Sequence, residues 1–161
     1  MSRRARHLDD GTRSCAQLDV PWARRQPARA LRASIQRGVL GPLLRYYTDR
    51  RLRGLDALER LTPPVVFVAN HVSHIDAPII LRALPAPWRQ RTAVAAAVDY
   101  FYRDRRVARL VALVFNTVPV RRGGGGAEDL DHIERLLDER WSLLVFPHGT
   151  RARPGATERL H

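Results

Sequence analysis

The sequence predicts an α/β fold with a mostly parallel sheet that carries helices on both of its faces. Short apolar runs rich in β-branched residues recur along the chain, and segments with apolar residues at helical spacing separate them. Strands that alternate with helices pair in parallel through right-handed crossovers. The length of 161 residues suits one domain that buries a substantial core.

The N-terminal segment is predicted to be a flexible basic tail over residues 1–30, ahead of a folded domain over residues 31–161. Its arginines stand among few large apolar residues, so burial would not offset the entropy lost on ordering. No apolar run follows the early arginines, as a secretory signal requires. Cys15 is the single cysteine, which excludes an internal disulfide.

A helix is predicted over residues 35–47, where large apolar residues recur at every fourth position: Ile35, Val39, Leu43 and Tyr47. A glycine and a proline at positions 41 and 42 are expected to kink this helix. Its apolar face either packs on the domain core or lies on an anionic membrane surface, and the pattern favours neither. No apolar run reaches the length of a membrane-spanning helix.

The remaining elements alternate along the chain. Strands are predicted over residues 64–69, 92–97, 117–120 and 142–146. Helices are predicted between them over residues 77–84, 105–115 and 127–140. Trp88, Arg89 and Arg91 are expected to form a solvated loop rim.

The link after the first of these strands carries a histidine and, five residues later, a carboxylate. It reads Asn-His-Val-Ser-His-Ile-Asp over residues 70–76. An imidazole takes a proton from a hydroxyl when a carboxylate holds its other ring nitrogen, so His71 and Asp76 can form a general base. Asp76 can also act as the N-cap of the next helix. On these residues alone, simple capping is the favoured interpretation.

Three ordered motifs reverse that preference. Residues 70–76 resemble the Asn-His-x-Ser-x-x-Asp motif of the glycerolipid acyltransferase family, which includes lysophosphatidic acid acyltransferase. Residues 146–151 read Phe-Pro-His-Gly-Thr-Arg and resemble the family's Phe-Pro-Glu-Gly-Thr-Arg motif. Residues 116–122 resemble its middle motif, a short strand that ends in arginine.

The resemblance implies a fold like that of glycerol-3-phosphate acyltransferase and a role in phospholipid biosynthesis. A fatty acyl group would move from acyl-CoA or acyl carrier protein to a hydroxyl of a lysophospholipid such as 1-acylglycerol-3-phosphate. His71 would be the general base and Asp76 its orienting partner. No covalent enzyme intermediate, metal or cofactor is implied.

The resemblance also implies an anion pocket for the acceptor phosphate, because a guanidinium grips phosphate through two parallel bonds. The substrate-binding candidates are Arg121, Arg122, Gly149, Thr150 and Arg151. Arg122 matches the middle motif better than Arg121, although a shift of one residue would exchange them. Further candidates for the site are Asn70, Ser73 and His148.

His148 departs from the family pattern, which carries a glutamate at that position. A histidine does not replace a carboxylate as a hydrogen-bond acceptor and arginine partner without change. The sequence also ends at His161, before a further strand and a fourth motif of the family, so we expect an incomplete sheet. These features leave open an inactive fragment of such an enzyme.

The charge balance leaves open a third class, a basic module that binds a membrane surface or nucleic acid. The chain has 28 basic residues against 16 acidic ones, all of the basic residues being arginine. Because such a module leaves the motifs unexplained, we favour the enzyme and expect no nucleic-acid partner. We expect a cytoplasmic location with peripheral contact at the inner face of the cell membrane. The oligomeric state stays open.

Overall fold

The computed structural model describes residues 13–49, 51–71, 73, 75–122 and 126–147. Four strands form this part of the fold: β1 (Val66–Val68), β2 (Thr92–Ala97), β3 (Thr117–Val120) and β4 (Ser142–Val145). The α-helices of the same part are α1 (Cys15–Leu18), α2 (Ala28–Ile35), α3 (Gly41–Tyr47), α4 (Asp76–Ala83), α5 (Ala86–Gln90), α6 (Val98–Phe101), α7 (Arg105–Phe115) and α8 (Ala127–Asp138). Short 3₁₀-helices cover Pro21–Arg24 and Leu55–Arg60, and a π-helical turn covers Gln36–Leu40.

The four strands form one parallel sheet in the order β1-β4-β2-β3. Parallel pairing places the carboxyl ends of all four strands at one edge of the sheet, which we call the carboxyl edge. The opposite edge, where the strands begin, is called the amino edge. The predicted α/β fold with a mostly parallel sheet is therefore confirmed.

Helices cover both faces of the sheet. On one face, Ala93 and Leu143 pack with Leu136 of α8. On the other face, Val94 and Leu144 pack with Leu81 of α4. Successive strand residues point to opposite faces, which is why neighbours in sequence join different core clusters.

Residues 13–30 are folded onto the core, which corrects the prediction of a flexible tail for this stretch. Cys15, Val20, Ala23 and Ala28 are buried, and the first three pack in one cluster with residues of β2, α6 and α7. The prediction weighed large apolar residues only, whereas small side chains let these short helices approach the core closely. Residues 1–12 of the predicted tail lie outside the described residues.

The helix predicted over residues 35–47 begins earlier and is interrupted earlier than expected. It runs from α2 into α3 through the π-helical turn at Gln36–Leu40, which is where the regular hydrogen bonding changes. Pro42 directly follows this turn and has no N–H to donate to its carbonyls, which agrees with the change in hydrogen bonding there. No helix in the described ranges is long and apolar enough to cross a membrane.

The predicted loop rim around Trp88 is instead the helix α5. Trp88 packs edge-to-face against Phe67 of β1, with ring centroids 5.8 Å apart. Arg89 is half-buried and donates to the carbonyl oxygen of Leu84 at 3.2 Å. The arginines of this segment led to the prediction of a solvated loop, whereas the packing of Trp88 on Phe67 places a short helix there.

Candidate active site

His71 and Asp76 lie together at the carboxyl edge of the sheet, just after β1. The distance between Nδ1 of His71 and Oδ2 of Asp76 is 3.3 Å, and their side chains are 21% and 16% exposed. The contact is within ion-pair range but longer than the roughly 2.9 Å of a typical N–H···O bond, and Nδ1 of His71 is not in hydrogen-bonding geometry toward the carboxylate. Catalytic hydrogen bonds commonly tighten when substrate binds, so the geometry suits a histidine that is oriented by a carboxylate.

Asp76 is held in place by the backbone of its own turn. It is the first residue of α4, while Ile75 occupies the N-cap position, which corrects the expected cap role of Asp76. Its Oδ2 accepts a hydrogen bond from the backbone N–H of Ser73 at 2.8 Å. The carboxylate therefore reaches back from the helix to both Ser73 and His71. Its position at a helix N-terminus also favours its negative charge.

Phe146 forms one wall of the site, and its role was missed when the sequence was interpreted. Its ring centroid lies 4.5 Å from that of His71, at an angle of 42°. The contact arises because β1 and β4 are neighbours, so the residues that follow them meet at the carboxyl edge. This pair could be recognised only once the order of the strands was known.

Arg122 follows β3 at the same edge of the sheet. Its Nη1 lies 3.0 Å from Oδ2 of Asp99, and both side chains are about half exposed, at 45% and 50%. An exposed ion pair contributes little stability and exchanges readily with solvent or ligand. Arg122 is thus a cation that an arriving phosphate can recruit.

Arg121 has a different environment, although it is the adjacent residue. Its Nε donates to Oδ2 of Asp129 at 3.1 Å, and its Nη2 donates to the backbone oxygen of Arg13. Asp129 also accepts a 2.8 Å hydrogen bond from the backbone N–H of Cys15. These bonds join β3, α8 and the start of α1. Arg121 therefore has the contacts of a structural residue.

The pKa of the Asp129 carboxyl reflects this network. Burial alone would raise it, but the hydrogen bonds from Cys15 and the charge of Arg121 outweigh burial and lower the pKa below its ordinary value of 3.8. Burial and the nearby Asp129 raise the pKa of the Cys15 thiol to about 12. Cys15 is therefore a protonated thiol at neutral pH rather than a nucleophile.

The sheet order separates the two halves of the expected site. Between the histidine's strand and that of the arginines lie β4 and β2, and neighbouring strands are about 4.8 Å apart. The strand ends of β1 and β3 are thus on the order of 14 Å apart, so His71 and Arg122 share an edge without direct contact.

Of the other expected site residues, the structure describes Ser73 and Asn70 only. Ser73 lies in the turn before α4, where its Oγ accepts a hydrogen bond from the backbone N–H of Ile75 at 3.4 Å. Asn70 is exposed directly before His71. His148, Gly149, Thr150 and Arg151 lie outside the described residues, so their roles stay predictions.

The arrangement of His71 and Asp76 supports proton transfer. When Nδ1–H is shared with Asp76, the lone pair of the imidazole resides on Nε2, which is the nitrogen that would take a proton from a hydroxyl. The carboxylate stabilises the imidazolium formed in that step. The chemistry suited to the pair is activation of an alcohol for attack on a carbonyl.

Comparison with known proteins agrees with this chemistry. The chain matches the model of the Acyltransferase family over residues 49–161, which is more than half of its length, and it belongs to that family. The resemblance seen in the three motifs is thereby confirmed at the level of the family.

A protein named "Taffazin" from Dictyostelium discoideum is 28% identical to this chain over 112 residues. The match covers 63% of this chain and 37% of that protein, so the chain spans little more than a third of the length of this curated relative. No solved structure matches the chain.

Proposed function

We propose that this protein transfers a fatty acyl group from an acyl thioester to a hydroxyl of a phosphorylated glycerolipid such as 1-acylglycerol-3-phosphate. The acyl donor is acyl-CoA or an acyl carrier protein. The observation that carries the proposal is the contact between His71 and Asp76 at the carboxyl edge, in a chain of the Acyltransferase family.

The reaction needs one proton acceptor and no covalent enzyme intermediate. Nε2 of His71 takes the proton of the acceptor hydroxyl while the hydroxyl oxygen forms a bond to the thioester carbonyl carbon. The carbon–sulfur bond then breaks, and the leaving thiolate receives the proton from His71. The products are an ester and a free thiol, and His71 returns to its neutral form. Asp76 keeps the ring oriented throughout.

The phosphate of the acceptor would bind at Arg122. A phosphate carries more charge than the Asp99 carboxylate and accepts two parallel hydrogen bonds from one guanidinium, so it competes well for this exposed arginine. The predicted contributions of Gly149, Thr150 and Arg151 belong to the same anion pocket.

The exposed side of α3 would bring the enzyme to its lipid substrate. Large apolar residues with exposures of 50 to 84% lie along one side of the helix and its preceding turn: Val39, Leu43, Tyr46 and Tyr47. We call this the α3 face. Arg37 and Arg45 flank it and complement an anionic membrane, each contributing on the order of 1 kcal/mol near the surface.

The α3 face lies beside the helix that carries Asp76. Leu44 on the opposite side of α3 is buried and lines one small cavity together with Pro78 and Leu81 of α4. A membrane contact through α3 would therefore hold α4, the helix that begins at Asp76, close to the lipid surface. We propose peripheral contact with anionic lipid on this basis, at the inner face of the cell membrane.

An acyl-transfer assay with acyl-CoA and lysophosphatidic acid tests the proposed reaction. The parent chain is compared with His71→Ala and with His74→Ala, which makes the same substitution three residues further along. His71→Ala should lower the rate by about 10²- to 10⁴-fold, because general-base catalysis is lost. His74→Ala should stay within a few-fold of the parent.

Two results would overturn the proposed function. One is equal turnover by the parent chain and His71→Ala. The other is a chain that unfolds in a cooperative thermal transition but forms no ester from any phosphorylated acceptor. The two acceptors offered are lysophosphatidic acid and glycerol 3-phosphate.

A further inference from the structure

A cluster of arginines lines a cleft at the amino edge of the sheet, away from His71. The cleft lies between α2, the π-helical turn and α5; it is shallow and open to solvent, and its enclosed part has a volume of only about 10 Å³. Its polar lining consists of Arg29, Arg32, Arg37, Arg89, Gln36 and Gln90. We call it the arginine cleft.

The positive charge of the arginine cleft is not balanced by nearby acids. Residues 28–47 and 77–98, which supply all of its helices, contain no aspartate or glutamate. Within the described ranges, no ion pair joins a carboxylate to an arginine of the cleft. The cations of this cleft therefore face one another without a counter-charge.

Backbone carbonyls and an aromatic ring hold these arginines in place. Arg32 is 4% exposed and donates to the carbonyl oxygens of Ala23 and Ala112 at 3.0 and 3.4 Å. The guanidinium of Arg29 lies over the ring of Trp141, 5.7 Å from its centroid. The positions of the cations are thus set by the fold, with neutral partners.

Some donor groups of the cluster lack an acceptor. Nε of Arg29 is buried and has no hydrogen-bond acceptor among the described residues, and the same holds for Nε of the neighbouring Arg82. Burial and the positive charge of Arg29 and Arg24 lower the pKa of Arg32 to about 10. Burial and repulsion from Arg82 and Arg37 also lower the pKa of Arg89. Each effect is relieved when an anion enters the cleft.

The arginine cleft is distinct from the candidate active site. α5 ends immediately before β2 begins, and Trp141 immediately precedes β4, which places the cluster where the strands start. His71 and Arg122 both follow strand ends at the opposite edge. An anion bound in the cleft is therefore not the acceptor of the acyl-transfer reaction.

We infer that the arginine cleft binds a phosphate-type anion. Clustered cations that are buried or half-buried, as Arg29, Arg32 and Arg89 are, repel one another without counter-charges. A tetrahedral dianion with several acceptor oxygens satisfies guanidinium groups that line one cleft from α2 and α5. A carboxylate offers only two oxygens and a single charge. The phosphate can come from a soluble phosphate compound or from the phosphomonoester headgroup of a lipid, because both present the same group.

Inorganic phosphate is the first probe. Its affinity for the full chain is measured by calorimetry, and the thermal midpoint is compared in phosphate and chloride at equal ionic strength. The cleft variants are Arg89→Gln and Arg37→Gln, and the matched control is Arg109→Gln, an exposed arginine of α7 outside the cleft. Phosphate should raise the midpoint of the parent. Its affinity should fall about tenfold in each cleft variant and stay unchanged in the control.

A second readout separates binding from simple damage to the fold. Without phosphate, Arg37→Gln should unfold at a temperature no lower than the parent, because Arg37 is exposed and its charge repels that of Arg89. His71→Ala should retain the phosphate affinity of the parent. This result keeps the anion site independent of the proposed acyl transfer.

Vesicles of phosphatidylcholine with phosphatidic acid distinguish the two sources. If Arg89→Gln weakens vesicle binding more than Arg109→Gln does, the headgroup is the ligand. If the two variants bind vesicles equally but differ in phosphate affinity, a soluble phosphate compound is the ligand. Equal behaviour of cleft and control variants toward both probes would overturn the inference.

Discussion

Two adjacent arginines of the middle motif differ in what they contact. Arg122 faces Asp99 in an exposed pair, whereas Arg121 links β3 to Asp129 and to the backbone of Arg13. Both residues follow the end of β3, where the chain turns, and one guanidinium reaches Asp99 while the other reaches α8. This difference is why we propose Arg122, and not Arg121, as the phosphate ligand.

Paired substitutions test this division between the arginines. Arg122→Gln should raise the KM for lysophosphatidic acid by roughly tenfold, because a charge-assisted contact to phosphate is lost, while the thermal midpoint stays unchanged. Arg121→Gln should lower the thermal midpoint and leave KM close to the parent value. The measurements are steady-state kinetics and thermal unfolding on the same preparations. The reverse pattern would assign the phosphate to Arg121.

The carboxylate of Asp129 should make stability depend on pH in a defined direction. Its pKa in the folded chain lies below the ordinary value of 3.8, so its stabilising contribution is complete above that value and is lost as the pH falls through the folded-state pKa. The difference in thermal midpoint between the parent and Asp129→Asn should thus be constant from pH 7 to about pH 4 and shrink below it. A difference that grows on acidification would contradict the network described here.

The residues of the candidate site were predictable where chemistry alone identifies them. His71 and Asp76 stand out because an imidazole and a carboxylate share one turn, and the structure brings them to 3.3 Å. Phe146 was not predictable in this role, because its contact with His71 depends on which strands are neighbours. The choice between Arg121 and Arg122 likewise required the position of α8.

At the scale of elements, α3 joins the fold to its proposed membrane contact. One side of the helix buries Leu44, and the other side leaves Tyr46 and Tyr47 exposed at 84% and 70%. Tyrosine places an apolar ring and a polar hydroxyl in the interfacial layer of a bilayer. The burial of Leu44 confirms that one side of this helix packs on the core, whereas the membrane contact of the other side stays a proposal.

Substitution of the exposed tyrosines tests the membrane contact. Tyr46→Ser combined with Tyr47→Ser should weaken binding to vesicles that contain anionic lipid by about tenfold or more, because two apolar rings no longer enter the interface. Sedimentation with vesicles provides the measurement, and Tyr100→Ser on α6, also exposed, is the control. If all three chains sediment equally, α3 is not the membrane contact.

The bounds of elements with a clear periodicity of apolar residues were predicted correctly, whereas short elements that depend on single tertiary contacts were not predicted. β2, α7 and β3 have the expected bounds, since the alternation of apolar strands with amphipathic helices is strong there. α1 and α5 have only four and five residues, too few to show a helical period, and Cys15 and Trp88 anchor them by packing on the core and on Phe67. Local sequence carries little information about such partners.

At the scale of the whole molecule, the two edges of the parallel sheet carry different chemistry. The carboxyl edge holds His71, Asp76 and Arg122, while the amino edge holds the arginine cleft. The parallel arrangement was predictable from the alternation of strands and helices, and it correctly places the first two motifs at one edge. The order β1-β4-β2-β3 was not predictable, because it depends on how the crossovers pack.

The central claim is that His71 and Asp76 act as one unit in acyl transfer, and a double-mutant cycle on kcat/KM tests it most directly. His71→Ala, Asp76→Asn and the double variant are compared with the parent, with thermal unfolding as the check on folding. Asparagine at position 76 can still accept the hydrogen bond from Ser73, so it removes chiefly the charge.

If Asp76 acts through His71, its substitution matters only while the histidine is present. We expect the double variant to be no slower than His71→Ala alone, because the function of the carboxylate is already lost. Losses that multiply in the double variant, or a His71→Ala chain with the kcat/KM of the parent, would contradict the claim.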